Sequence, residues 1–174
     1  MYLNVIAGSY VNFAICEYYS DSIFTQLSQL VLTTVSICDQ QELMSYEKVH
    51  RVAYTVVLHF FNNHLEVLFS KFESNLIEAV LEMLVRGLAA PIYEVQADCC
   101  VCINAFNEFV FEKIVSTSLK HQDLVTSVKE FCKHSGGKIF QRFLEKTLFA
   151  ILFENCRNAW IFQKVLFSTL VIVN

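Results

Sequence analysis

The chain has 174 residues, 55% of them hydrophobic and 14% aromatic, with four Gly and one Pro. That length fits one domain with a continuous core, and so few chain-breakers argue against sandwiches, barrels and disordered linkers. The net charge of −4, from 13 basic and 17 acidic residues, lacks the basic footprint of a nucleic-acid binder.

Charge is uneven from the start. Residues 1–47 hold Glu17, Asp21, Asp39, Glu42 and Glu47 but no Lys or Arg, so this stretch suits a basic partner. Asp39-Gln-Gln-Glu42 reads as a capping box opening a helix that runs from Tyr46 to Phe61. The clearest helix is 74–89, where Leu76/Ile77, Val80/Leu81, Leu84/Val85 and Leu88 recur every three to four positions. Glu78, Glu82 and Arg86 stack opposite that stripe, Glu82 and Arg86 form a favourable i,i+4 pair, and Ser74 suits the N-cap.

Pro91 can open the next helix, since its missing N–H costs nothing in a first turn. Ile92, Val95, Cys99, Cys102/Ile103, Phe106, Phe109/Val110 and Ile114 then make a long apolar stripe. Another stripe follows at Ile139/Phe140, Phe143/Leu144, Leu148 and Ile151/Leu152, opposite Gln141, Arg142, Glu145 and Lys146, with Gly136-Gly137 ahead of it as a helix stop. The predicted helices are 3–19, 22–37, 46–61, 74–89, 92–115, 121–134, 138–155 and 158–172, with a short helical turn at 64–70. Alternate helices start near Leu3, Tyr46, Ile92 and Lys138, about 43–46 residues apart, the period of HEAT-type pairs. Residue identity does not repeat at that period. The pattern therefore predicts an all-α, HEAT-like α-solenoid in a single segment 1–174, with antiparallel pairs at 1–38, 39–90, 91–135 and 136–174. A closed bundle is the competing arrangement.

Two stretches test a membrane reading. Residues 22–38 carry no charge and residues 158–174 are apolar on nearly every side. A span needs about 20 predominantly apolar residues, and Ser, Thr and Gln interrupt the first stretch while Gln163-Lys164 interrupts the second. Both are expected to be helices covered on more than one side. Terminal repeats of a solenoid need a polar outer face, and neither terminal helix supplies one. The expectation is a slice of a longer array, or a chain that packs on a partner.

Chemistry is hard to find. There is no GxSxG, P-loop, HExxH or Gly-rich dinucleotide turn, and Ser135-Gly136-Gly137-Lys138 lacks the strand and first glycine of a phosphate loop. The seven cysteines (Cys16, Cys38, Cys99, Cys100, Cys102, Cys132, Cys156) are odd in number, and no N-x-S/T acceptor or basic-then-apolar leader occurs. They read as small buried hydrophobes in a reducing compartment. Cys99, Cys100 and Cys102 point too far apart on one helix to close a tetrahedral metal site alone. His59 and His64 do not share a helix face, and His50 beside Lys48 and Arg51 reads as a surface or groove residue. Phe109-Val110-Phe111 sits at core spacing, and Glu108 and Glu112 read as a solvated face. No catalytic, cofactor-binding or metal residue is assigned, and an enzyme or a small-molecule substrate is not expected.

Three strings carry a resemblance. Ile6-Ala-Gly-Ser-Tyr10-Val-Asn12-Phe13 with Glu17-Tyr-Tyr-Ser-Asp21, then Ala97-Asp-Cys99-Cys100 leading into Phe106–Phe111, then Leu152-Phe-Glu154-Asn155-Cys156-Arg157-Asn158-Ala-Trp160, occur in order. Together with the helix 46–61 ending at His64, they resemble a segment near the C-terminal end of the exportin-7 family, nuclear transport receptors of the importin-β superfamily. The resemblance implies HEAT-like repeats within an export receptor that shuttles between nucleus and cytoplasm. Its implied partners are protein cargo, nucleoporins and Ran in its GTP state, Ran being held by repeats that have no counterpart in these residues. Pro91 and the loop at 116–121 depart from the family pattern. Arg157, Asn158 and Trp160 read as residues that stabilise a turn rather than contact cargo. An unrelated helical adaptor and a small helical membrane protein are the alternative readings.

Overall fold

The computed structural model describes residues 22–38, 45–115, 122–153 and 159–173. Every regular element among them is helical: α1 Ser22–Ile37, α2 Glu47–Asn63, α3 Leu65–Lys71, α4 Ser74–Gly87, α5 Tyr93–Val115, α6 Gln122–Phe131, a π-helical turn Cys132–Gly136, α7 Gly137–Phe153 and α8 Ala159–Val173. The helix predicted at 3–19, the capping box at 39–42 and the loop at 116–121 lie outside the described residues.

The strongest sequence pattern folds as its periodicity dictates. In α4, Ile77, Val80, Leu81, Leu84 and Val85 are buried while Arg86 stays in solvent. Each such side chain contributes about 1.5–3 kcal/mol on burial. Helix α5 buries its predicted stripe from Val95 to Val110, together with Cys100 and Asn107, whereas Ile92 precedes the helix and is half-buried and Ile114 is exposed. It needs the extra faces because α2, α4, α6 and α8 all pack against it. Its Phe106 ring lies 6.4 Å from Phe61, 6.1 Å from Phe69, 6.3 Å from Phe131, 5.8 Å from Phe140 and 6.5 Å from Phe143, centroid to centroid. Five rings from α2, α3, α6 and α7 thus converge on one side chain, at separations where edge and offset contacts are favourable.

Helix packing sorts the elements into two rows. In one, α2 packs on α5 and α5 on α8; in the other, α1 packs on α4 and α4 on α7. Helices α4 and α5, and then α7 and α8, join the rows.

Several expectations are corrected. Gly136-Gly137 does not stop a helix. The chain stays helical from Gln122 to Phe153, passing through the π turn with Gly137 at φ −56° and ψ −44°. The boundary expected between residues 135 and 136 therefore falls inside one long helix. A glycine pair costs a helix roughly 1 kcal/mol per residue relative to Ala. Two anchors on α4 offset that cost: Ser135 Oγ donates to Glu78 Oε2 at 3.0 Å, and Arg142 forms an ion pair with Glu82. That second anchor also replaces the expected Glu82–Arg86 pair.

Details at two helix starts change as well. Glu73, in extended backbone, holds the N-cap of α4 without a side-chain bond, so Ser74 is the first helical residue and not the cap. Helix α5 begins beyond Pro91, because the amides of Ala89 and Ala90 turn back to the carbonyls of Arg86 and Gly87 at 3.1 Å.

The two apolar stretches are not covered on more than one side by the described residues. Helix α1 leaves Ile23, Leu30 and Ile37 exposed, and α8 buries only Phe162, Val165 and Thr169. No helix among the described residues is long and apolar enough to cross a membrane.

Candidate interaction surface

The cysteines that could suggest chemistry are packed away from it. Cys99, Cys100 and Cys102 are fully buried on α5. Burial, with Cys102 as the next contribution at Cys99 and Asp98 at Cys102, pushes both of those thiols well above their usual range, so they stay protonated. Cys132, partly open, is pushed up to about 11 by burial. Among the described residues no three His, Cys, Asp or Glu side chains come together in a way that could hold a metal ion.

Gly87 explains how tightly this region closes. A methyl group on Gly87 would overlap Cys99 Sγ and the Tyr54 ring, whose Cζ would lie 2.9 Å away. Glycine here permits three helices to meet, and Tyr54 then donates its hydroxyl to the Met83 carbonyl at 3.2 Å.

His50 corrects the sequence reading most sharply. It is not a surface residue: it is 0% exposed, its ring stands edge-on to Tyr54 at 5.1 Å, and neither ring nitrogen has a hydrogen-bond partner. Burial lowers its pKa below the usual 6.5 and keeps it neutral. Lys48 and Arg51 point elsewhere, Arg51 reaching Glu94 of α5 at 3.7 Å. His59 and His64 do approach, with ring centroids 5.9 Å apart, and His64 also rests on Phe24 at 4.9 Å and Phe60 at 5.8 Å. The Gly-linked π turn carries His134 in solvent, and His121 lies outside the described residues.

Polar groups that the sequence reading passed over tie the helices together. Asn107 is 0% exposed and donates its amide to Ser168 Oγ and Thr169 Oγ1 of α8, both at 2.9 Å, leaving Oδ1 unpaired. Its place on the stripe between Ile103, Phe106 and Val110 was the available signal. Asp98 on α5 has its pKa raised by burial against the lowering effect of Arg51 and of a hydrogen bond with Thr55. Lys113 reaches Glu66 of α3 at 2.8 Å and sits 5.3 Å over the Phe109 ring. Glu108 takes the Asn104 amide at 2.8 Å and Glu112 lies 3.8 Å from Lys113, both in solvent, as expected of a solvated face. Of the three residues Phe109–Phe111, the first two are buried and Phe111 is 45% exposed.

What remains open to a partner is surface. Leu148, Phe149, Leu152 and Phe153 of α7, and Trp160, Phe167, Leu170, Val171 and Val173 of α8, are exposed. Trp160 is 61% exposed, with Lys164 5.7 Å from its ring and a small cleft of about 170 Å³ between it, Cys100, Val101 and Asn104. Glu154, Asn155, Cys156, Arg157 and Asn158, the rest of the turn that Trp160 was assigned to, lie outside the described residues, as do Glu17, Asp21, Asp39 and Glu42. Such a surface offers packing area and charge, and its groups hold no nucleophile beside a base.

Comparison with known proteins gives distant relatives over nearly the whole chain. It is 23% identical over 170 residues to exportin-7-B and to exportin-7-A of Xenopus laevis, and 20% identical over 174 residues to Ran-binding protein 17 of Mus musculus. These alignments cover 96–97% of this chain and 16% of each relative. No family model and no solved structure matches. The chain therefore spans about one-sixth of the length of the curated relatives it matches, and its similarity to the exportin family is distant.

Proposed function

We propose that the chain is a segment of a nuclear export receptor of the exportin-7 type, acting by protein–protein contact and without catalysis. The observation that carries this reading is an alignment to exportin-7 over 96% of a chain whose described regular elements are all helices, stacked in two rows. In this reading the rows are a HEAT-like superhelix in which each pair contacts its neighbours, and residues 1–174 are one unit of stacked pairs. The exposed apolar band of α7 and α8 is then the side on which a further pair of the longer array stacks.

The receptor would shuttle between nucleus and cytoplasm and bind protein cargo and nucleoporins. Its dependence on Ran-GTP would come from repeats outside these residues. An unrelated helical adaptor is the second reading, favoured by the low identity and by the relatives' sixfold greater length.

Immunoblotting the native polypeptide with an antibody to residues 120–140 separates the two. A band about six times heavier than 20.1 kDa, co-precipitating with Ran loaded with GTP but not GDP, supports the receptor. A band near 20.1 kDa that is indifferent to Ran supports the adaptor.

A further inference from the structure

Helix α6, the π turn Cys132–Gly136 and helix α7 form one helical run from Gln122 to Phe153, and that run holds one residue more than its packing uses. Helix α6 buries Leu124, Val128 and Phe131, at steps of four and three. Helix α7 buries Ile139, Phe143, Thr147 and Ala150, at steps of four, four and three. Between the two series, Phe131 to Ile139 is a step of eight. In an uninterrupted α-helix eight residues turn about 80° past two full turns, whereas seven fall within about 20° of them. The two buried stripes share a face because the π turn absorbs the eighth residue, as single-turn π bulges inside α-helices do. An α-helix one residue shorter at this point would present the same stripes on the same face.

The surplus residue sits in a weak stretch at a border. Lys133, His134 and Gly137 are exposed, and a methyl group on Gly137 would meet nothing within 4 Å. Glycine has the lowest helix propensity short of proline, and Gly136-Gly137 places two together. Helix α6 packs mainly on α3 and α5, and α7 on α4 and α8, so the π turn separates two sets of partners.

Its two flanks differ. At about 100° per residue, Gly137, Phe140 and Leu144 lie to one side of the fully buried Phe143, and Arg142 lies to the other. On the Arg142 side the run is tied to α4, by Ser135 donating to Glu78 at 3.0 Å and by the Arg142–Glu82 ion pair. On the opposite side is an open groove of about 460 Å³, where Cys132, Gly137, Phe140 and Leu144 face the end of α8 at Ile172 and Val173.

We propose that the π turn is a hinge built into the long helix, at which α6 and α7 change their mutual angle while each keeps its own partners. The bonds to Glu78 and Glu82 act as the pivot, and the groove takes up the movement. Sharp bends in helices concentrate at π bulges and at glycine pairs, and this segment has both. Free volume on one flank and tethers on the other give the bend a direction. The hinge uses only contacts within this chain and is independent of the transport reading.

The test is NMR relaxation dispersion of the backbone amides of the full chain, which reads motion on the μs–ms scale of hinges. Exchange is expected at residues 132–137 and, across the groove, at Ile172 and Val173, with little at 124–128 or 147–150. Deleting His134, which precedes both tethered residues, should turn the run into a continuous α-helix. That variant should keep the parent's helicity and a urea midpoint no lower than the parent's. Its exchange contributions on both sides of the groove should fall at least about fivefold. Gly137→Ala keeps the π turn but stiffens it, and should reduce them about twofold. Deleting Glu145, equally exposed but with no surplus residue beside it, rotates the rest of α7 by about 100° and should lower the midpoint sharply. The hinge is overturned if the parent shows no exchange at 132–137, if exchange there survives the His134 deletion, or if the two deletions lower the midpoint alike.

Discussion

Helices α4 and α8 are similar in length and each carries a long apolar series, yet α4 buries seven of its 14 residues and α8 three of its 15. Helix α4 has neighbours in both rows, with α1 and α7 beside it and α5 across, and its apolar stripe is consumed by them. Helix α8 rests mainly on α5 and α7, leaving Phe167, Leu170 and Val171 outward. Apolar composition sets what can be buried, while position in the stack sets what is.

The contrast can be broken from its buried side. Phe106→Ala removes the ring on which five others converge and should cost about 3–5 kcal/mol, read as a lowered urea midpoint. Gly87→Ala drives a methyl into Cys99 and Tyr54 and should cost about 1–3 kcal/mol, with Gly137→Ala, where nothing lies within 4 Å, as the tolerated comparison.

His50 sharpens the same side through pH. Its folded pKa is lowered, so as pH falls below 6.5 the unfolded chain gains a proton that the folded chain refuses. Stability is intact above that value and declines beneath it. The raised pKa of Asp98 runs the other way, its strained carboxylate being relieved as pH falls. His50→Leu should therefore remove a component of the stability loss between about pH 7.5 and 5.5, seen as a smaller change in denaturation midpoint than in the parent chain. On the open side the smallest effect is expected. Phe167→Ser/Val171→Ser should leave stability within about 0.5 kcal/mol while reducing self-association in sedimentation.

The stripes of α4 and α5 were legible because several residues at one period vote for the same face. Features resting on a single residue were not. His50 follows Lys48 and precedes Arg51, a charged neighbourhood that suggests solvent, and only the arrival of Tyr54 and its packing partners makes it core. Gly136-Gly137 has the composition of a stop, and the bonds to Glu78 and Glu82 that keep it helical come from more than 50 residues earlier. Trp160 was assigned to a turn, and its exposed ring beside Lys164 depends on where α8 lies against α5.

Asn107 has a mechanical consequence for the row of α2, α5 and α8. Its amide is satisfied by Ser168 and Thr169 at one axial setting of α8, and a slide of one helical turn, about 5.4 Å, would strand that amide in an apolar seam, while both hydroxyls keep their bonds to the Val165 carbonyl. The joint between α5 and α8 therefore resists one helix slipping past the other along their axes, which keys the register of this row.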